Sequence, residues 1–396
     1  MTIELVLTVV LVAVFAVLVS PQVRRNVGWS ATLTPLASII GSGFLVSVPL
    51  VAGAVGVWAV AAVAALAGFA YLVGGAIRYT IRHVDDEAGA VVRSLETLSH
   101  LVLIGAYFIS VAYYLALLAT FGLTLVGVSD PVLGKAVATT IIVGVCGLGA
   151  TRGLAGVQRA ETYTVSANLA AIAALLASLV VFGLALPSGY SWSAATASSW
   201  DWDTIRFLMG LLIIVQGFET TRFMGQLYDA EQRVRAMRSA QLLSATVYVA
   251  FFLLMIPLYG SFSSSADVAG VIDVVGRVSP WLPYVVAGGA IASQLSASVA
   301  DSIGASGLVT ETTGGRVDAR HSYLLIGAVA ILVIWATDVV SVVTLASRAF
   351  ALFYAMECLV AALLARQRGD RARAGWYAVL AAGCAAVAVL GIPAGG

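Results

Sequence analysis

Residues 34–56 read TPLASIIGSGFLVSVPLVAGAVG, and residues 205–228 read IRFLMGLLIIVQGFETTRFMGQLY. Each is apolar and long enough to cross a bilayer. Each is also interrupted, by Gly41-Ser42-Gly43 in the first and by Gln216-Gly217-Phe218-Glu219 in the second. Glycine lets a membrane helix unwind, and unwound backbone survives in hydrocarbon only where it lines a cavity inside the protein. Two such interruptions at corresponding places in two halves of a chain point to a solute site. Freed N–H groups at the positive ends of half-helices suit a carboxylate. Freed carbonyls suit an ammonium group or a metal cation, so a zwitterion satisfies both. The competing reading of the glycines is close helix packing, as in small-xxx-small pairs.

Working outward, the rest of the chain is equally apolar. Hydrophobic residues make up 61% and charged residues 10%, against roughly 25% charged in soluble domains. A net charge of +1 and the absence of a basic tail give nucleic acid no purchase. Cys146, Cys358 and Cys384 fall in apolar runs and read as small buried hydrophobes. His83, His100 and His321 are dispersed in or beside polar loops, which argues against a metal site. The apolar runs number twelve, at about 3–20, 31–54, 56–77, 97–126, 133–150, 157–186, 205–228, 238–262, 281–306, 322–337, 339–365 and 374–392. The first lacks a basic n-region and a cleavage site, so it is expected to stay as an anchor. With this count, sixteen arginines fall in loops on one side and only Lys135, Arg206 and Arg277 on the other. The Arg-rich side is expected to be cytoplasmic, with both termini outside. Trp192, Trp200 and Trp202 suit an aromatic belt, and the charged stretch 78–100 reads as partly an amphipathic surface helix.

The fold class expected is therefore an all-α polytopic membrane protein of about twelve transmembrane helices. Setting the first run aside, runs two to six and seven to eleven form two groups of five, each opening with a broken helix. Five is odd, so the second group enters from the opposite side and the topology is inverted. The expected divisions are a peripheral helix and link (1–30), a first repeat (31–186, core helices 1–5), a second repeat (187–365, core helices 6–10) and a peripheral last helix (366–396). Glu219, Arg222, Asp301, Arg348 and Glu357 lie inside runs. An ionised side chain there is costly unless paired or hydrated, which makes each a functional candidate. Glu219 is a candidate proton carrier, gate or partner of a cationic solute, and the bland alternative is an ion pair with Arg222 on the same helical face. Asp301 is a candidate for cation entry or proton release. Arg348 and Glu357 are expected to pair with other helices.

At these residues the chain resembles the amino acid–polyamine–organocation superfamily, with its leucine-transporter-type five-plus-five inverted repeat. Ile40-Gly41-Ser42-Gly43-Phe44 is similar to the family's first-helix Gly-x-Gly signature, Gly217-Phe218-Glu219 to its sixth-helix motif, and Asp229-Ala230-Glu231-Gln232-Arg233-Val234-Arg235 to the loop entering core helix 7. The resemblance covers about residues 31–365. It implies alternating access, with core helices 1, 2, 6 and 7 rocking against a scaffold. By this resemblance a sodium ion would be held by carbonyls of Ala37, Ile40 and Ser293 and the hydroxyl of Ser296, with Ala297 in place of one expected hydroxyl. Phe44 stands where a second sodium site would need an amide. The lysine of many proton-coupled relatives is missing from core helix 5, where Thr164, Ser166 and Asn168 stand.

The expected function is secondary active transport of a small amino acid or amino-acid-like solute across the cytoplasmic membrane of a bacterium, coupled to H⁺ or Na⁺ and without a cofactor. The substrate, a zwitterion, would lie against Ile40, Gly41, Ser42, Gly43, Gln216, Gly217, Phe218, Thr220 and Thr221. Glu219, Arg222 and Asp301 would couple or gate. The bilayer is the expected partner, nucleic acid is not, and the sequence leaves oligomeric state open. The alternative is a non-transporting sensor or auxiliary subunit that keeps the fold. A membrane enzyme has no support, since no metal-ligand cluster and no nucleophile–base spacing is present.

Overall fold

A computed structural model describes residues 2–41, 43–87, 89–154, 161–192, 200–225, 227–262 and 270–392. Beside a single helical turn at Pro21–Arg24, its α-helices in chain order are α1 Ile3–Leu18, α2 Val27–Gly41, α3 Phe44–Val55, α4 Ala59–Glu87, α5 Ala90–Leu125, α6 Pro131–Arg152, α7 Glu161–Ala185, α8 Trp202–Met209, α9 Ala230–Met255, α10 Gly270–Gly276, α11 Leu282–Thr312, α12 Ala319–Ala336, α13 Val339–Gln367 and α14 Arg371–Leu390. Among the described residues there is no strand, and nine helical runs are long and apolar enough to cross a membrane. The chain is an all-α polytopic membrane protein.

Loop chemistry sets where the helices begin. Asp130, Asp229, Asp318, Asp338 and Asp370 each accept a backbone N–H of the first turn that follows, at α6, α9, α12, α13 and α14. A carboxylate there satisfies a donor the helix cannot and favours the positive end of its dipole. At α9 the cap is reciprocal, because Gln232 returns a bond to the Asp229 backbone. His321 donates its backbone N–H to Asp318, which holds that carboxyl below its usual range.

Two groups of helices position the candidate site. The helix α9 packs on α2 and on α4, and all three pack on the second interrupted segment. The helix α5 packs along α11, α13, α12 and α6, and α7 packs on α11. The flanking helices lie outside, α1 against α7 and α14 against α13. The three cysteines are buried within helices. Trp192, Trp200 and Trp202 are half-exposed, and Trp200 meets the ring of Trp58 edge-on.

One expectation is corrected here. The stretch 78–100 is not a surface helix of its own: it is the end of α4 and the start of α5. Its first charge is an interior one. Arg78 is buried, hydrogen-bonded to Gln241 of α9 and to the Tyr71 carbonyl, and stacked over the Tyr71 ring. Charge density in the sequence misread two long helix ends as a separate element.

Candidate functional site

Both interruptions are real breaks. In the first, α2 stops at Gly41 and α3 starts at Phe44, with Gly43 at its N-cap. Ser42 lies outside the described residues. In the second, α8 ends at Met209, and only two short 3₁₀ turns follow, Leu212–Val215 and Phe218–Phe223. Between those turns Gly217 takes φ +113°, a left-handed conformation that side chains rarely adopt.

The two breaks press against each other. A Cβ on Gly43 would fall 2.9 Å from the Ile214 Cα, and one on Gly217 would fall 2.7 Å from the Ser38 backbone carbon. Each glycine therefore admits the backbone of the other broken segment. The close-packing reading holds for both residues, and it holds because the breaks meet. Sequence spacing offered packing and site as alternatives, whereas the fold makes the contact between breaks a packing contact.

Side chains from three further helices hold the broken segments, those of α9 and α11 through freed backbone carbonyls and that of α5 through the Gln216 side chain. The Tyr248 hydroxyl of α9 sits between the carbonyls of Ile39 (3.2 Å) and Ile214, one from each break. Gln294 of α11 donates to the Gly41 carbonyl (2.8 Å). Gln216 donates to the Tyr114 hydroxyl of α5 (3.0 Å). None of Tyr248, Gln294 or Tyr114 was singled out from sequence, since a lone tyrosine or glutamine in an apolar run gives no periodic signal. Replacing Tyr248 by Phe is expected to cost about 1–2 kcal/mol, the typical penalty for taking a donor from a buried carbonyl, and a thermal unfolding comparison in detergent would measure it.

The remaining candidates divide. Ile40, Gly41 and Ser293 line one small cavity of about 10 Å³ with Phe44, Asn168 and Gln294, room for about one water. Ala37 and Ser296 are not part of its lining. Phe218 is buried and stacks on Tyr354 of α13 at 5.0 Å. The hydroxyls of Thr220 and Thr221 bond back to the carbonyls of Gly217 and Phe218 (both 2.9 Å), so they cap the turn. A larger cavity of about 510 Å³ opens at the Arg-rich end, lined by residues that include Arg24, Arg25, Thr34, Thr162 and Tyr228. It adjoins the start of α2, the start of α7 and the end of the second break.

Glu219 does not pair with Arg222. It is fully buried, and its Oε2 accepts from the Tyr354 hydroxyl (2.7 Å) and the Gly217 N–H (3.0 Å). Arg222 instead reaches Glu96 of α5 with one arm and Glu357 of α13 with the other. The Ser99 hydroxyl adds a contact to Glu357 at 3.0 Å, and the Arg222 carbonyl accepts from Arg233 of α9 (2.8 Å). Asp301 of α11 accepts from Ser110 of α5. Arg348 turns outward to the Ala388 carbonyl of α14 (2.6 Å). The expectation that Arg348 and Glu357 find partners on other helices holds.

The geometry is that of a multi-pass helical protein in which two broken segments meet in the interior. A family model described as an APC superfamily transporter matches residues 21–391. An uncharacterized protein of Aquifex aeolicus (strain VF5) is 34% identical over 361 residues, covering 89% of this chain and 88% of its own length. With a multi-pass helical fold and a family match over nearly its whole length, the chain belongs to the APC superfamily of transporters.

Proposed function

We propose that this chain moves a small amino acid or amino-acid-like organic solute across the membrane by alternating access, as a secondary active transporter with two inverted halves at 31–186 and 187–365. The observation that carries the reading is the meeting of the two breaks, Gly43 against Ile214 and Gly217 against Ser38. A solute between them touches N–H groups of α3 on one side and carbonyls of the second break on the other, and parting the breaks opens the path. The cavities at the breaks are water-sized, so on this reading the conformation is a closed one. The packing of α9 on α2 and α4, with the second break against all three, supports a bundle, and the surface on which it would rock against a scaffold is where α4 and the second break meet α13 and α2 meets α11. The residues at the solute are Ile40, Gly41, Ser42, Gly43, Gln216, Gly217 and Phe218, with Thr220 and Thr221 holding the turn.

Glu219 is the coupling residue, and the proton is the coupling ion we favour. Its carboxyl bonds to the Gly217 N–H inside the break itself, so a change in its protonation alters the backbone that a solute would meet. Uptake into proteoliposomes, driven by an imposed pH or sodium gradient, tests the function. Glu219→Gln is expected to abolish the pH dependence of uptake while the protein stays folded. Unchanged pH dependence would remove Glu219 from the coupling, and binding without uptake would favour a sensor.

A further inference from the structure

A cavity of about 430 Å³ lies at the end of the bundle opposite the Arg-rich one, between α5, α6, α12 and α13, and no residue of either break lines it. Its volume falls in the range of small-ligand pockets. One to two turns or more in from the helix ends its lining is apolar and buried, at Ala116, Ala138, Ile334 and Val342. The hydroxyls of Thr120 and Thr124 on its wall donate to carbonyls of their own helix (both 2.9 Å). Water in that depth would find few partners, whereas a hydrocarbon chain needs none.

Charge stands at the mouth. Asp130 and Asp338 are exposed there and cap α6 and α13. Lys135, the only lysine of the chain, is one turn into α6. Its Nζ donates to the Thr337 carbonyl (2.7 Å), and among the described residues it forms no ion pair. The ammonium therefore keeps donors to spare for an anion. An independent observation sets the depth of this level. Trp335, exposed on α12, gives its indole N–H to the Thr139 hydroxyl of α6 (3.0 Å), the placement of an aromatic ring at a membrane surface. Exposed Leu133 and Leu332 show that α6 and α12 turn apolar faces outward, as helices against lipid do.

We propose that this cavity binds one acyl chain of a bilayer phospholipid whose zwitterionic headgroup ends in a primary ammonium, of the phosphatidylethanolamine type. The chain fills the apolar depth, the phosphate lies against Lys135, and the ammonium lies against Asp130 and Asp338. The second chain stays in the bilayer. A lipid chain gains little by moving from bilayer to apolar protein, so the headgroup decides which lipid is held. Lys135 alone would favour any phosphate. The two carboxylates disfavour a headgroup of net negative charge and favour one that carries a cation. The proposal needs only the membrane-spanning fold and is independent of the transporter reading.

The test titrates the purified full-length protein, stripped of lipid in detergent, with phosphatidylethanolamine, phosphatidylglycerol and oleate, and counts bound lipid by native mass spectrometry. One phosphatidylethanolamine is expected to be retained about 5-fold more tightly than phosphatidylglycerol, the scale of one charge at a membrane surface. Ala138→Phe fills the depth and is expected to remove the retained lipid. Lys135→Gln is expected to weaken it about 5-fold, and it serves alone if the phenylalanine variant does not fold. Asp130→Asn combined with Asp338→Asn keeps both helix caps, since asparagine caps as well as aspartate, and is expected to bring the two phospholipids to equal affinity. Retention unchanged in either cavity variant that folds overturns the site. Phosphatidylglycerol held as tightly as phosphatidylethanolamine by the unaltered protein overturns the headgroup assignment. Retention of oleate alone, or of no lipid, overturns the phospholipid itself.

Discussion

Arg222→Ala is expected to destabilise the protein by about 3–5 kcal/mol, the cost of removing one partner from a buried ion pair. The Arg222 guanidinium spans two carboxylates. One, Glu357, is fully buried, and the other, Glu96, keeps 18% of its side chain exposed. Without the arginine, Glu357 keeps the Ser99 hydroxyl among the described residues, and a fully buried carboxylate on α13 loses the guanidinium that faces it. Arg222→Lys is expected to recover only part of the loss, because a lysine ammonium cannot present two N–H pairs to two carboxylates in one plane. Pairing Arg222→Ala with Glu357→Gln removes a charge from each sign, so the double variant is expected to be more stable than Arg222→Ala alone. Thermal unfolding of the four proteins in one detergent measures this, and an unaltered melting temperature in Arg222→Ala would mean the network contributes nothing. The network joins the end of the second break to α5 and α13, helices of the other packed group. On the alternating-access reading it ties moving elements to the scaffold, so its loss is also expected to raise labelling of cysteines placed around the cavity at the Arg-rich end.

The sequence carried the breaks but not what holds them. Glycine inside an apolar run is a local signal, and the interruptions at Gly41–Gly43 and around Gly217 were legible for that reason. The aspartate caps are an equally local signal that hydrophobicity alone passes over: the run read from 238 begins at Ala230, behind Asp229. The partners of Arg222 were not legible, because spacing speaks only for the residue's own segment. A separation of three positions suggested Glu219, whereas the guanidinium bonds to carboxylates 126 and 135 positions away. Glu219 meanwhile is held by the Gly217 N–H that the break itself releases. Tyr248 illustrates the same limit. Its value lies in reaching one carbonyl from each break, a property of three segments that no single segment displays.

Substitution at the break glycines is expected to separate packing from binding. Gly217→Ala meets two penalties at once. The residue sits at φ +113°, and its new Cβ would fall on Ser38 of α2, with the Ser38 backbone carbon 2.7 Å away. Left-handed backbone alone costs a non-glycine residue about 1–2 kcal/mol, and overpacking adds typically 1–3 kcal/mol. Gly43→Leu has no such backbone strain, because its φ of −177° is extended. Its side chain would instead drive against the Ile214 backbone, with Cβ only 2.9 Å from Cα. That contact is between main chains held on both sides, so the two breaks must part to relieve it. Gly43→Leu is therefore expected to abolish solute binding while most of the helical content survives, read by circular dichroism beside a binding isotherm. Gly43→Ala, with the same Cβ and nothing beyond it, is expected to weaken binding less. If Gly43→Leu binds with wild-type affinity, the solute does not sit at the junction of the breaks. If both variants unfold together, the junction is a packing contact first, and the solute site must be sought along the cavity at the Arg-rich end.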